Sequence, residues 1–411
     1  MLDCGLHPKY EGARALPAFD LLEKQPDACI ISHAHHDHSA AVPYLATIHP
    51  NVMVYATKTT LRILDRMLHN SVSVMEKIRD ERGIREYPLY GHEDVGRVLR
   101  KAYGINLFQR FGLRPDSDVR VTFYPAGHVL GGACVNIQSP GHNIFCTSDF
   151  SWTDYELTPA SDIPSCAANT DTLIIESTYG ANPEADHYVY SEQVDGFAKT
   201  VKTILDRDGV VLVPSFALGR TQEMLNVVAR LQDDGRIPDV PVYASGLGRA
   251  IYEVYERNRE LLRAESYLYP LSEFESVGDV WDERNVKRLL RYPGIIVATS
   301  GMMLENTPSA MIAKHMVQET RHGIVFVGYC DPETLGYRVK HAKPGDQLVF
   351  QLGDRPVEIR LDTIKSFHFS AHAPRSALRE VAGQFHAKNI VFVHGDAPAI
   401  DWMYENCRNG A

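Results

Sequence analysis

The sequence has no apolar run approaching the roughly 20 residues that a membrane-spanning helix needs, so no membrane association is expected. It has no Cys-x-x-Cys. The seven cysteines, Cys4, Cys29, Cys134, Cys146, Cys166, Cys330 and Cys407, are odd in number and scattered, which speaks against a disulfide framework or a thiolate zinc site and for a reducing cytoplasm. There is no surplus of basic charge: 42 Lys and Arg stand against 52 Asp and Glu, a net charge of -10. A protein that coats nucleic acid through a basic face is thereby disfavoured, while a local cleft stays open. Internal repeats, low-complexity stretches and flexible linkers are missing. Met1-Leu2-Asp3-Cys4-Gly5 carries neither the basic nor the apolar region of a signal peptide. The chain opens abruptly on what reads as the end of a strand, so it is expected to be compact there or to lack upstream strands.

What is present is an ordinary globular composition, 44% hydrophobic and 23% charged over 411 residues, enough for two to three domains. Residues 28–32 and 52–56 read as buried strands around a helix at 39–48. After Thr57, a good N-cap, apolar residues at 61, 64, 68, 72 and 75 predict a long helix towards 80. Strands at 119–124, 133–138 and 143–147 follow. From about 181 the texture changes to regular alternation: helix 192–206, strand 209–213, helix 220–232, strand 241–244, helix 247–263, strand 294–298, helix 309–318, strand 323–328. That is a parallel α/β sheet with crossover helices. Two short β segments near 347–360, a helix at 374–386, a strand at 389–393 and a final helix close the chain. The second texture reads as inserted into the first.

The strongest chemical signal is His33-Ala34-His35-His36-Asp37-His38, between a buried strand and a helix. Three imidazoles and a carboxylate at alternating positions of such a turn can converge on a point, and this donor set suits Zn²⁺ or a similar ion. His36 is the odd member, assigned to solvent or to a supporting role. One loop cannot fill two metal spheres. Further candidates stand at strand ends: His128 in Tyr124-Pro125-Ala126-Gly127-His128, Asp149 in Thr147-Ser148-Asp149-Phe150, and His394 in Val393-His394-Gly395-Asp396.

Leu2-Asp3-Cys4-Gly5, His33-x-His35-x-Asp37-His38, Gly127-His128 and Asp149 together resemble the metallo-β-lactamase superfamily. Ile174-Ile175-Glu176-Ser177-Thr178-Tyr179-Gly180, Phe369-Ser370-Ala371-His372-Ala373 and Val393-His394-Gly395 resemble motifs A, B and C of its β-CASP nuclease branch. The resemblance spans essentially the whole chain and is nearest to the group containing the endonuclease subunit of the mRNA 3′-end cleavage and polyadenylation factor. It implies an αββα sandwich (residues 1–180 and 367–411) with an inserted parallel α/β β-CASP domain (181–366).

By the same resemblance, His33, His35 and His128 would hold one Zn²⁺, Asp37, His38 and His394 a second, and Asp149 would bridge the two ions of the chain. Asp3 would orient a ligand imidazole. A hydroxide activated by both metals would attack phosphorus, and His372, poised by Glu176, would protonate the leaving oxygen. Pro214-Ser215-Phe216-Ala217-Leu218-Gly219-Arg220 and Thr299-Ser300-Gly301-Met302-Met303 are strand-to-helix turns where Arg220, Ser300 and Gly301 could hold phosphate. Tyr243-Ala244-Ser245-Gly246-Leu247-Gly248 is a weaker third. Pro374-Arg375 departs from the family, which has an acidic residue two positions after the motif B histidine. The chain ends soon after motif C, with no appended nucleic-acid-binding domain expected, so RNA would be gripped in the cleft itself. The expectation is a zinc-dependent ribonuclease, an endonuclease of single-stranded RNA, since His394 at motif C goes with RNA-processing members. A small-molecule hydrolase of lactonase or thioesterase type, a DNA nuclease, and a silent binding subunit are the alternatives; a homo-oligomer is left open.

Overall fold

The computed structural model describes residues 1–164 and 169–407; Cys166 and the last four residues lie outside them. The chain divides into two units, Met1–Asp154 with Thr158–Asp186 and Ala371–Ala411, and Tyr155–Leu157 with His187–Ser370.

Two sheets form the middle of the first unit. The smaller is parallel and runs Ala28–Ile30, Met53–Thr57, Tyr103–Ile105. The larger runs Asn389–Val393, Thr172–Glu176, His142–Cys146, Ala133–Ser139, Arg120–Pro125, Arg110–Gly112. Alternation along the strands decides what each face meets. Val121, Phe123, Ala133, Val135 and Cys146 pack against Ala28, Ile30 and Tyr55 of the smaller sheet. Cys134, Phe145, Leu173 and Ile175 point the other way, onto Ala377, Leu378, Val381 and Met403 of the helices Arg375–Gln384 and Ala397–Asn406. The helix Lys58–Arg82 lies against Met53–Thr57 and Tyr103–Ile105. Thr57 Oγ1 caps it by accepting from Thr60 N (3.1 Å), and Gly83, at φ +71°, ends it. The unit is thus an αββα sandwich.

The second unit is built on a six-stranded, all-parallel sheet in the order Glu275–Ser276, Val242–Ala244, Gly294–Ala298, Val210–Pro214, Gly323–Phe326, Ile364–Ser366. Val210–Pro214 and Gly294–Ala298 are buried at every position, as central strands covered on both faces must be. The helix expected over 247–263 stops at Glu256, because Asn258 turns back and donates to the Val254 carbonyl (2.7 Å). Short helices at His92–Lys101, Glu283–Leu289 and Leu335–His341 were not anticipated. No helix among the described residues is long and apolar enough to cross a membrane.

Phe145 is fully buried, its ring centroid 5.1 Å from that of Phe385. Phe145→Ala is expected to destabilise the sandwich by about 3–5 kcal/mol, seen as a lowered urea midpoint for loss of metal-site integrity.

Candidate metal centre

The metal-loop candidates begin where the strand Ala28–Ile30 ends. His33 follows it, His35 is extended, and His36–Ser39 forms one helical turn. The first residues of the chain are laid along this turn: Cys4 N donates to the His38 carbonyl (2.7 Å) and Leu6 N to that of His36 (3.1 Å). A Cβ at Gly5 would stand 1.7 Å from the Asp37 carbonyl oxygen, so only glycine lets the two segments meet. Gly127, at φ +72°, plays the same part before His128, where a Cβ would lie 2.5 Å from the Pro159 carbonyl oxygen.

Four donors converge first. His33 Nε2 is 3.0 Å from His35 Nδ1, which is 3.2 Å from His128 Nε2. Asp149 Oδ2 lies 3.7 Å from His33 Nε2 and 3.8 Å from His128 Nε2. A tetrahedral site with metal–nitrogen bonds of about 2.0 Å has donor–donor edges of about 3.3 Å. The spacing is that of a shared cation. Tautomers agree: the Ala371 carbonyl faces His128 Nδ1 at 3.0 Å and so receives its proton, leaving Nε2 with a free lone pair. Burial holds both His33 and His128 well below the ordinary histidine pKa, the neutral form a ligand requires.

A second group follows. His394 Nε2 lies 3.3 Å, and His38 Nε2 3.8 Å, from Asp37 Oδ2; His38 Nε2 is also 3.3 Å from Asp149 Oδ2. Asp3 accepts from Ser32 N (2.7 Å), Ser32 Oγ (2.8 Å) and His38 Nδ1 (2.8 Å), which turns His38 Nε2 inward. Burial disfavours the charged form of His38, but Asp149, Asp37 and Asp3 outweigh it and hold the pKa well above the ordinary value. His394 is pushed up to about 9, burial again being overcome, first by Asp149. Asp149 Oδ1 is buried without a hydrogen-bond partner. A cavity that raises two imidazoles and leaves a carboxylate oxygen bare is short of positive charge. The donor set, imidazole and carboxylate without thiolate, fits Zn²⁺.

Beside these donors stands a buried pair. Glu176 ends the strand Thr172–Glu176; its Oε1 accepts from Phe150 N (2.9 Å), and its Oε2 faces His372 Nδ1 (2.9 Å). Burial lowers the His372 pKa, but the Glu176 carboxylate more than restores it. Thr178, unassigned from sequence, donates to Glu176 Oε2 (2.5 Å) with His394 Nδ1 at 3.0 Å and His372 Nδ1 at 3.2 Å. Only its place two residues after Glu176 could have marked it. His36 does not face solvent alone: its Nε2 meets Ser71 Oγ (3.0 Å), pinning the turn to the long helix. Asp3, Ser148 and His394 have φ of 54°, 52° and 53°, strain that non-glycine residues bear at sites over-determined by their surroundings.

The phosphate candidates lie in the second unit. Arg220 is buried; Nη1 donates to the Phe369 carbonyl, the guanidinium carbon sits 5.2 Å from the Tyr155 ring centroid, and Nη2 is buried without a hydrogen-bond partner. Ser300 Oγ accepts from Leu304 N (2.9 Å) within its own turn, and a Cβ at Gly301 would meet Phe216 N at 3.0 Å.

Family profiles match along the chain: the metallo-beta-lactamase superfamily over 1–144, the Beta-Casp domain over 221–339 and the Zn-dependent metallo-hydrolase RNA specificity domain over 356–410. The chain belongs to the β-CASP branch of the metallo-β-lactamase superfamily. This β-CASP protein is 31% identical to cleavage and polyadenylation specificity factor subunit 3 of Dictyostelium discoideum, over 97% of this chain and 50% of that one. It is 29% identical to transcription termination factor FttA of Pyrococcus abyssi, over 93% and 60%, and 28% identical to a ribonuclease of Thermus thermophilus, over 96% and 87%. The chain thus spans about half the length of the first of these relatives. A crystal structure of an Enterococcus faecalis V583 protein of unknown function superposes with a TM-score of 0.53 at 17% identity, over 95% of this chain and 80% of that one, a likeness of fold alone.

Two outcomes are expected. Asp149→Ala removes the carboxylate that lies beside both groups, 3.7 Å from His33 Nε2 and 3.3 Å from His38 Nε2, and should lower bound zinc at both by elemental analysis; unchanged metal content contradicts the shared role. His394 is mostly protonated at pH 7 in the metal-free protein, so metal binding there should expel protons, and affinity should rise with pH until about 9. Calorimetry in buffers of different ionisation enthalpy measures that release.

Proposed function

We propose that this protein is a zinc-dependent ribonuclease, an endonuclease of single-stranded RNA. The observation that carries the reading is the His372–Glu176 pair set against the His/Asp cluster: Asp149, Glu176, His372 and His394 bring ligand atoms within 4.8 Å of one another. Relatives named as endoribonuclease and ribonuclease, and the RNA specificity profile over 356–410, support RNA as the substrate. In this reading His33, His35 and His128 hold one Zn²⁺, Asp37, His38 and His394 hold the other, and Asp149 serves both. When bound, the ions supply Lewis acidity and deprotonate water near neutral pH.

The chain's own residues do the rest. Asp3 fixes the tautomer and direction of His38. Glu176 accepts the Nδ1 proton of His372 and stabilises its imidazolium, so that Nε2 carries the proton given to the leaving ribose oxygen. Thr178 ties this pair to His394, keeping acid and metal ligands in register.

The test is incubation of zinc-loaded protein with 5′-labelled single-stranded RNA, with and without chelator. Internal cuts that disappear with the metal are expected; an enzyme that hydrolyses small esters or lactones but leaves RNA whole overturns the reading. His372→Ala should keep its zinc and lose about 10²–10⁴-fold in cleavage rate. Loss of zinc, or normal cleavage, removes His372 from the acid role.

A further inference from the structure

Between Gly5 and Pro17 the chain makes a compact loop closed at its neck by a hydrogen bond from the His7 amide to the Ala15 carbonyl (2.8 Å). An ion pair from Arg82 Nη1 to Glu11 Oε1 (2.7 Å) anchors it to the helix Lys58–Arg82. Such closed surface loops are often functional. Inside it the His7 and Tyr10 rings stack, centroids 4.4 Å apart and planes inclined by 28°. The Arg14 guanidinium carbon lies 5.0 Å from the Tyr10 centroid.

These groups face water. Tyr10 is 47% exposed, and His7, Lys9 and Arg14 are exposed as well. Arg14 makes no ion pair among the described residues. An aromatic side chain held clear of the core by planar neighbours wins little from burial; what it offers is a stacking surface.

Two contacts place the loop near the segments that carry the metal-site candidates. Leu6, just before it, bonds the His36 carbonyl in the metal loop (3.1 Å). Lys9 Nζ lies 4.0 Å from Asp396 Oδ1, two residues beyond His394. In a chain of net charge -10, Lys9, Arg14 and two stacked rings together face solvent here, while Glu11 of the same loop is taken up by Arg82.

We propose that the loop His7–Ala15 is a stacking platform for a base of single-stranded RNA flanking the bond that is cut. An unpaired base presents a π face that stacks on aromatic rings and guanidinium planes, whereas in a duplex those faces are already covered. The incoming base takes the place of Arg14 on Tyr10, and the freed guanidinium turns to the adjoining phosphate. The platform thereby selects unpaired RNA without reading its sequence. The inference rests on the ribonuclease reading.

Steady-state cleavage of a single-stranded oligoribonucleotide, beside hydrolysis of bis-p-nitrophenyl phosphate, tests it. Tyr10→Ala should raise KM for the RNA about tenfold or more, leaving kcat, zinc content and ester hydrolysis within about twofold, and Tyr10→Phe should restore the KM. Arg14→Ala should make the logarithmic salt dependence of RNA binding shallower by about 0.7. An unchanged KM in Tyr10→Ala overturns the platform and leaves the ribonuclease reading standing. Equal losses on RNA and ester assign Tyr10 to the fold instead. If the unaltered protein hydrolyses the ester but no RNA, the ribonuclease reading falls and the platform with it.

Discussion

The first unit depends on one buried carboxylate. Asp149 is 2% exposed, and imidazole nitrogens of His33, His38, His128 and His394 lie 3.3–3.8 Å from its oxygens. Burial alone would drive it to the neutral acid; the charges of His394 and His38 overcome that and hold its pKa well below the ordinary value. A buried anion of this kind is costly unless compensated. Compensation by protons on the imidazoles makes a tolerable metal-free state, and exchange of those protons for divalent cations makes a better one, because the donors already stand at ligand spacing.

The sandwich exists to bring those donors to one place. They gather from five strand ends: His33 to His38 after Ala28–Ile30, His128 after Arg120–Pro125, Asp149 after His142–Cys146, Glu176 at the close of Thr172–Glu176 and His394 after Asn389–Val393. Strand ends are where the backbone can leave the ladder, and Asp3, Ser148 and His394 do so with left-handed φ. Such conformations persist because hydrogen bonds on both sides fix them, as with Asp3 N to the Ile30 carbonyl (2.9 Å) and Ser177 N to that of His394 (3.3 Å). Rigid strands supply the precision that loops alone would not.

Residues that announce themselves by type and spacing were legible in the sequence. The His33–His38 loop and the central strand at 294–298 both carry periodicity or rare chemistry within a short window. Asn258 capping a helix early, and His36 reaching Ser71, depend on partners whose positions the fold alone decides. Thr178 is the sharper case: a threonine after a strand is unremarked until Glu176, His372 and His394 converge on its hydroxyl. Arg220 shows the converse. Its place at a helix start suggests an anion, and the partners the fold gives it, the Phe369 carbonyl and the Tyr155 ring, are both distant in sequence.

Glu176 joins the two halves of the chemistry. Through Oε1 it holds the Phe150 amide, the residue after Asp149, and through Oε2 it holds His372. Any shift of the strand end carrying Asp149 is therefore felt at His372, through a side chain that is itself fully buried. The electrostatics are joined as well. After burial and Glu176, the Asp149 charge helps to raise the His372 pKa, so cations placed on Asp149 would draw that pKa back down. The His372 imidazole and the His/Asp cluster are therefore linked by charge as well as by hydrogen bonds, without any change of shape.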